Sequence, residues 1–169
     1  MRHEAVPMNI QEARPSDVPM IAAVLQEAAQ WLVDEGKALW SPAEFDHERV
    51  LRDTNAGLFH VAREGEQVAG VMKFELEDAY FWPEVVPGTS AFIHKLAVSR
   101  AWAKKEVSTE LLSYARARAR HLACAYLRLD CVADRKALRD LYEDFGFALH
   151  SIVQKGDLSF ARYELPIAG

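Results

Sequence analysis

The chain has 169 residues, and 25 acidic against 20 basic side chains give it a formal net charge of −5 at pH 7. Half of the residues are hydrophobic and 27% are charged, a balance typical of globular proteins and not of disordered ones. The sequence pI of about 5.7 excludes a broadly basic nucleic-acid-binding surface. We therefore expect one folded domain over residues 1–169, with residues 1–7 as an N-terminal extension and no nucleic-acid partner.

Nothing in the sequence favours a membrane or secreted protein. The longest stretch without Asp, Glu, Lys or Arg, Val85–His94, has ten residues, whereas a membrane-spanning helix needs about 20 apolar ones. The N-terminus lacks the apolar run of a secretory signal. Cys124 and Cys131 have none of the Cys and His neighbours of a metal site and are interpreted as small core residues. These features predict a cytoplasmic protein with no metal and no membrane partner.

Hydrophobic periodicity divides the chain into strands and helices, because apolar residues alternate in half-buried strands and recur every three or four positions in amphipathic helices. In chain order, the predicted elements are a strand Met8–Ala13, helices Pro15–Gly36 and Ser41–Asn55, strands Leu58–Arg63, Gln67–Leu76 and Ala91–Val98, a helix from about Arg100 to His121, a strand Tyr126–Val132, a helix Lys136–Phe145, and strands Phe147–Val153 and Leu158–Leu165. A loop rich in proline and aromatic residues, Asp78–Gly88, interrupts the pattern. This order predicts a mixed α/β domain.

Three stretches carry a recognisable pattern when they are taken together in this order. Phe92–Arg100 is a strand ending in Leu-Ala-Val, Leu127–Cys131 is a second strand, and Leu141–Phe147 contains Tyr-x-x-x-Gly-Phe. The chain from Met8 to Leu165 resembles the GNAT superfamily of acyl-CoA-dependent N-acyltransferases. The resemblance implies a single mixed, mostly antiparallel central sheet with helices on both faces, and a cleft for acyl-CoA where two central strands splay apart.

The resemblance also implies a reaction and some of its residues. Acetyl-CoA would donate an acetyl group to a primary amine of a small molecule or peptide, by direct attack in a ternary complex. By its place in the motif, Tyr142 would give a proton to the leaving thiolate. Backbone groups of Leu96, Ala97 and Val98 would hold the acetyl carbonyl and the cofactor.

The base that takes the proton of the amine stays open between a histidine and three carboxylates. His94 lies on the central strand, and an imidazole with an ordinary pKa near 6.5 can take a proton near neutrality. Glu75, Glu77 and Asp78, near the end of the third strand, are rival bases. For Glu77 and Asp78 an ordinary solvated strand end is favoured, while Glu75 is retained as a substrate-binding residue.

One segment departs from the family pattern. The family usually has Arg/Gln-x-x-Gly-x-Gly/Ala, whose backbone amides bind the pyrophosphate of CoA at a helix N-terminus. The aligned segment, Ala103–Ser108, contains no glycine. Glu106 also adds a carboxylate, which at about 4 Å from a phosphate repels it by roughly 1–4 kcal/mol. Acetyl-CoA binding is therefore in doubt on account of Lys104, Glu106 and Ser108.

Two interpretations of this segment compete. In the first, Lys104 and Lys105 replace the lost contacts and, with Val107 and Ser108, still bind acetyl-CoA. In the second, the helix begins early, at Ser99, and the anion site is lost, which leaves a non-catalytic ligand-binding or interaction module. Helix propensity favours the second interpretation, whereas the retained strand and tyrosine favour the first. Use of another acyl donor is a third alternative.

Aromatic side chains cluster in the segments that would border the acceptor in this fold. Trp31, Trp40, Tyr80, Phe81 and Trp82 could line a pocket for an apolar or cationic amine. We count Trp31, Trp40 and Trp82 as substrate-binding candidates, against the alternative that each covers the core or a loop edge. The exposed closing strands favour a homodimer.

Overall fold

The computed structural model describes residues 8–103 and 106–167. Its four α-helices are α1 (Val18–Asp34), α2 (His47–Asn55), α3 (Val107–His121) and α4 (Lys136–Phe145). Its seven strands are β1 (Asn9–Glu12), β2 (Phe59–Glu64), β3 (Gln67–Glu75), β4 (Ser90–Val98), β5 (Tyr126–Val132), β6 (Ala148–Lys155) and β7 (Leu158–Pro166). None of the helices in the described ranges is long and apolar enough to cross a membrane.

The helices follow the hydrophobic periodicity of the sequence. Buried residues of α1 recur three or four positions apart: Val18, Ile21, Ala22, Val24, Leu25, Ala29 and Leu32. The α2 helix begins where the Asp46 carboxylate accepts a 2.8 Å hydrogen bond from the Arg49 amide, an N-cap that satisfies one of the free amides of the first turn. The α4 helix ends before Gly146, whose φ of 123° is readily adopted only by glycine.

The strands form one seven-stranded mixed sheet in the order β1-β2-β3-β4-β5-β7-β6. Pairing is antiparallel for β1 with β2, β5 with β7, and β6 with β7. Between β4 and β5 it is parallel and covers three residue pairs, from Ser90 opposite Tyr126 to Phe92 opposite Arg128. The predicted mixed sheet is confirmed.

The chain forms two compact units. The first comprises the described residues within Met1–Met72 and Lys95–Leu111, and the second those within Lys73–His94 and Leu112–Gly169. The core of the first unit is built on α1, with Ile21 and Leu25 fully buried. The core of the second includes Leu127 and Tyr163, both also fully buried. The single domain that the sequence suggests stays a prediction.

The start of α3 differs from the prediction. The sequence places a helix from about Arg100, but this residue begins a single 3₁₀ turn that ends at Trp102, and α3 begins only at Val107. Backbone hydrogen bonds explain the difference. The Ser99 amide donates to the carbonyl of Ala69 at 2.8 Å, and the Arg100 amide donates to Oε1 of Glu27 at 2.7 Å. The early-helix interpretation of this segment is therefore wrong.

The β4 strand is irregular at Lys95. This residue has a φ of 53°, a left-handed conformation that L-residues seldom adopt. Strict alternation would place Phe92, His94 and Leu96 on one face of the strand. Because Lys95 interrupts the alternation, that prediction does not extend beyond His94.

Candidate active site

The N-terminus of α3 has the backbone geometry of an anion site. Glu106 has a φ of 61°, and its carbonyl accepts a 3.1 Å hydrogen bond from the Glu110 amide, so the helical hydrogen bonds begin at this residue. The amides of Val107, Ser108 and Thr109 precede the first residue that can bond within the helix. They lie at the positive end of the helix dipole. This backbone suits a pyrophosphate, whereas the Glu106 carboxylate opposes it.

Gly70 of β3 fixes the position of this helix start within the first unit. A Cβ at Gly70 would lie 2.8 Å from Cγ1 of Val107, 3.1 Å from Cδ1 of Leu111 and 3.2 Å from the carbonyl oxygen of Ala97. These distances are shorter than ordinary van der Waals contacts. Only glycine therefore allows the helix to pack this closely.

The predicted carbonyl-binding residues lie at the end of β4. Ala97 is buried, while Leu96 and Val98 are half-buried. The strand end is held by the Ser99 and Arg100 amides described above. The predicted cofactor ligands Lys104 and Lys105 lie outside the described residues.

His94 lies on β4, in the part of the strand that belongs to the second unit, and carboxylates surround it. Its Nε2 lies 3.1 Å from Oδ2 of Asp78 and 3.7 Å from Oε2 of Glu75. Burial by itself lowers the pKa of His94, but the contact with Asp78 and the negative charges of Asp130 and Glu75 raise it by more. The net pKa of His94 therefore lies above its ordinary value of about 6.5.

Asp78 is held in place by its own loop. Its Oδ1 accepts hydrogen bonds from the amides of Tyr80 (3.1 Å) and Phe81 (2.9 Å), and only 6% of its side chain is exposed. Burial raises the pKa of Asp78, but the contact with His94 and the two amide hydrogen bonds lower it by more. The expected solvated strand end is therefore wrong for Asp78, whereas Glu77 is exposed.

Tyr142 of α4 is 5% exposed. Its ring lies 6.0 Å, centroid to centroid, from the rings of both Phe147 and Tyr163. Burial is the main reason why the pKa of Tyr142 is raised, and the charge of Asp130 adds to it. Tyr142 therefore keeps its proton throughout the physiological pH range, as a general acid must before it donates.

The aromatic substrate-binding candidates already contact cations of the protein. Lys95 Nζ lies 4.7 Å from the centre of the Trp40 ring, and the Arg100 guanidinium lies 5.5 Å from the centre of the Trp31 ring. Trp82 is 1% exposed. In this structure Trp82 is thus a core residue of the second unit. The acceptor-binding role of Trp31 and Trp40 stays a prediction.

Sequence reasoning missed Asp130, whose charge acts on His94. On β5 the side chains of Leu127, Leu129 and Cys131 are buried and alternate with Arg128 and Asp130. A carboxylate on a central strand was the signal that could have found it. Of the residues that the sequence offered as bases, the structure brings Glu75 and Asp78 together with His94.

Residues 25–147 match the acetyltransferase (GNAT) family. The chain is also similar to the uncharacterized N-acetyltransferase YesJ of Bacillus subtilis (strain 168). The two are 28% identical over 137 residues, which cover 78% of this chain and 76% of the relative.

Solved structures share the fold at lower identity. An acetyltransferase of the GNAT family from Listeria monocytogenes 4b F2365 aligns with a TM-score of 0.75 and 21% identity, over 94% of each chain. The yncA protein of Salmonella typhimurium, solved with its cofactor acetyl-CoA, has a TM-score of 0.76 and 19% identity, over 96% of this chain and 95% of its own. The PaiA N-acetyltransferase of Thermoplasma acidophilum, in complex with coenzyme A, has a TM-score of 0.74 and 14% identity, over 95% and 100%.

Proposed function

Because the chain belongs to the acetyltransferase (GNAT) family, and is by that membership an acyltransferase, we propose that it acetylates a primary amine of a small molecule or peptide. The donor is acetyl-CoA, and the amine attacks directly in a ternary complex. The observation that carries the proposal is the start of α3. The left-handed turn at Glu106 and the helix N-terminus after it keep a backbone suited to a pyrophosphate, although the glycines of the family pattern are missing.

The donor is assigned to residues of the first unit. Amides of the first turn of α3, at Val107 and Ser108, hold the pyrophosphate, and the β4 end at Leu96, Ala97 and Val98 holds the acetyl end. Acetyl-CoA supplies the acetyl thioester. The non-catalytic alternative assumes that an early helix start abolishes the anion site. Because α3 begins only at Val107, the free amides of its first turn speak against that assumption, and the charge of Glu106 remains in its favour.

Proton transfer is assigned to residues of the second unit. His94 takes the proton that the amine loses as its nitrogen bonds to the acetyl carbon, and Tyr142 gives its proton to the thiolate released when the carbon–sulfur bond breaks. The Nε2 of His94 faces Asp78 and Glu75, so it carries the hydrogen of the neutral ring. Nδ1 is then the atom that accepts the proton, and Asp78 stabilises the resulting imidazolium.

Calorimetry tests the donor first. Purified protein is titrated with acetyl-CoA up to millimolar concentration, and thermal unfolding is followed in parallel, because a ligand that binds only the folded state raises the apparent stability. If the titration gives no binding heat and acetyl-CoA gives no thermal stabilisation at that concentration, the proposal is refuted. Acceptors are then screened by thiol release over small-molecule and peptide amines. Tyr142→Phe is the control, since it should bind acetyl-CoA yet turn over slowly.

A further inference from the structure

Arg162 of β7 is a buried cation that binds the loop between β3 and β4. It is 8% exposed. Its Nη1 donates to the carbonyl of Phe81 at 2.8 Å and lies 2.7 Å from Oε1 of Glu84, while its Nε donates to Oγ of Ser151 on β6 at 2.8 Å. A buried charge is costly unless it is paired and hydrogen-bonded. Arg162 therefore fixes this part of the loop on the β6–β7 pair.

Phe81 connects Arg162 to the carboxylate beside His94. The carbonyl of Phe81 accepts the hydrogen bond from Arg162, and its amide donates to Oδ1 of Asp78 at 2.9 Å. The other oxygen of Asp78, Oδ2, lies 3.1 Å from Nε2 of His94. A single residue of the loop thus separates the guanidinium from the carboxylate that contacts the imidazole.

The next residue of the loop strengthens this connection. The guanidiniums of Arg162 and Arg128 lie 4.4 Å and 4.7 Å from the centre of the Trp82 ring, within the range of a cation–π contact. The Trp82 amide donates to the carbonyl of Asp78 at 3.0 Å. Displacement of this loop segment would break all of these contacts together.

We infer that Arg162 is a positioning residue, which holds Asp78 against His94 through the backbone of Phe81. The inference rests on the proposed function for its kinetic consequence, because it makes Arg162 a determinant of how the proposed base is oriented. The contact between Asp78 and His94 can nevertheless be tested without any turnover.

The charges around His94 determine the direction in which its pKa should shift when Asp78 is released. Asp78 faces it from the loop, Glu75 from β3 and Asp130 from β5, and all three raise its pKa. Release of Asp78 should therefore lower the pKa of His94. Loss of the Arg162 cation without movement of the loop would act in the opposite direction, since a lost positive charge makes protonation of an imidazole easier. If Arg162 only stabilised the fold and did not hold Asp78 in place, the pKa of His94 would be unchanged or raised in the folded variant.

The experiment is an NMR titration of the His94 imidazole in the full chain without acetyl-CoA. The resonance is identified among the six histidines by its absence in His94→Gln, and Asp78→Asn gives the shift for loss of the carboxylate charge beside His94. We expect Arg162→Gln to lower the pKa of His94 by up to about one pH unit. Arg162→Lys should lower it less, because lysine keeps the charge but not the planar fork of donors.

A matched control and a second measurement complete the test. Arg116→Gln removes a cation that lies over Phe145 of α4 and is not among the charges that shift the pKa of His94, so it should leave that pKa unchanged. An unchanged or raised pKa in the folded Arg162 variants would overturn the inference. If Arg162→Gln does not fold, Arg162→Lys decides alone. If the enzyme is active, the acidic limb of its kcat/KM profile should shift with the pKa of His94 in the Arg162 variants. If no amine is acetylated, the proposed function fails, but the NMR titration still decides the role of Arg162.

Discussion

The backbone carbonyl of Glu106 accepts a hydrogen bond from the Glu110 amide at 3.1 Å, although Glu106 itself has a left-handed φ of 61°. Glu106, the residue before α3, stands where the family pattern expects glycine, and its conformation is strained for an L-residue. Conformation and charge can be separated by two substitutions at this one position.

Glu106→Gln and Glu106→Gly should both tighten acetyl-CoA binding, about tenfold, because each removes the carboxylate that opposes a phosphate. Only Glu106→Gly should also stabilise the free protein, by about 0.5–1 kcal/mol, because glycine adopts a positive φ without strain. Calorimetry measures the first effect and urea unfolding the second. Unchanged affinity in both variants would show that the pyrophosphate does not bind at this helix terminus.

Tyr142→Phe should lower kcat about 100-fold or more, the usual range for loss of a general acid. Its stability should change little, because the phenylalanine ring keeps the packing against Phe147 and Tyr163. Steady-state kinetics with the identified amine measures the effect. The control is Tyr163→Phe. In the wild type the Tyr163 hydroxyl accepts a 2.8 Å hydrogen bond from Nε of Arg139, which the variant loses. It should lose stability and keep kcat, and equal losses of kcat would contradict the assignment of Tyr142.

The raised pKa of His94 predicts that kcat/KM rises with pH, whereas the contribution of His94 to the stability of the fold falls with pH. As a base, His94 acts when deprotonated, so kcat/KM should rise with pH through an apparent pKa above about 6.5. A group whose pKa is higher in the folded state stabilises the fold fully below the unfolded pKa, and this contribution declines as pH rises through the folded pKa.

Urea unfolding of wild type and His94→Gln at pH 5.5 and 8.5 tests the second dependence. The wild type should exceed the variant in unfolding free energy by more at the lower pH. An equal difference at both values would mean that the pKa of His94 is not raised. Persistence of the acidic limb in His94→Gln kinetics would instead assign the base to a carboxylate.

Gly70→Ala should destabilise the protein by about 1–3 kcal/mol, because the new Cβ would lie 2.8 Å from Cγ1 of Val107. It should also weaken acetyl-CoA binding, because displacement of Val107 would move the first-turn amides of α3 that are proposed to hold the pyrophosphate. Gly65→Ala is the matched control: its φ is 58° but a Cβ there meets nothing within 4 Å. That variant should lose stability and keep its affinity for acetyl-CoA. Equal affinity in both variants would refute a role of Gly70 in the cofactor site.

Most element types could be predicted from periodicity, and α4 and β5 have the predicted bounds. The start of α3 could not. The residues after β4 are good helix formers, yet the Ser99 amide binds the Ala69 carbonyl and the Arg100 amide binds Glu27. Local propensity contains no information about such distant partners.

The same limit applies to the candidate site. The strand pattern identified His94 as a titratable group of interest, but a charged loop residue such as Asp78 is usually solvated. Its carboxylate accepts from the Phe81 amide in the turn that the loop forms, and the Phe81 carbonyl accepts from Arg162, which lies 81 positions further along the chain. Neither contact has a signature in local sequence.

The loop that carries Asp78 also contains an optical reporter. Trp82 is 1% exposed, and the guanidiniums of Arg128 and Arg162 lie 4.7 Å and 4.4 Å from the centre of its ring. Indole fluorescence responds to charge and water at such distances. A chain in which Trp31, Trp40 and Trp102 are replaced by phenylalanine would emit from this position alone. Its emission would then report movement of the loop in real time during a change of pH.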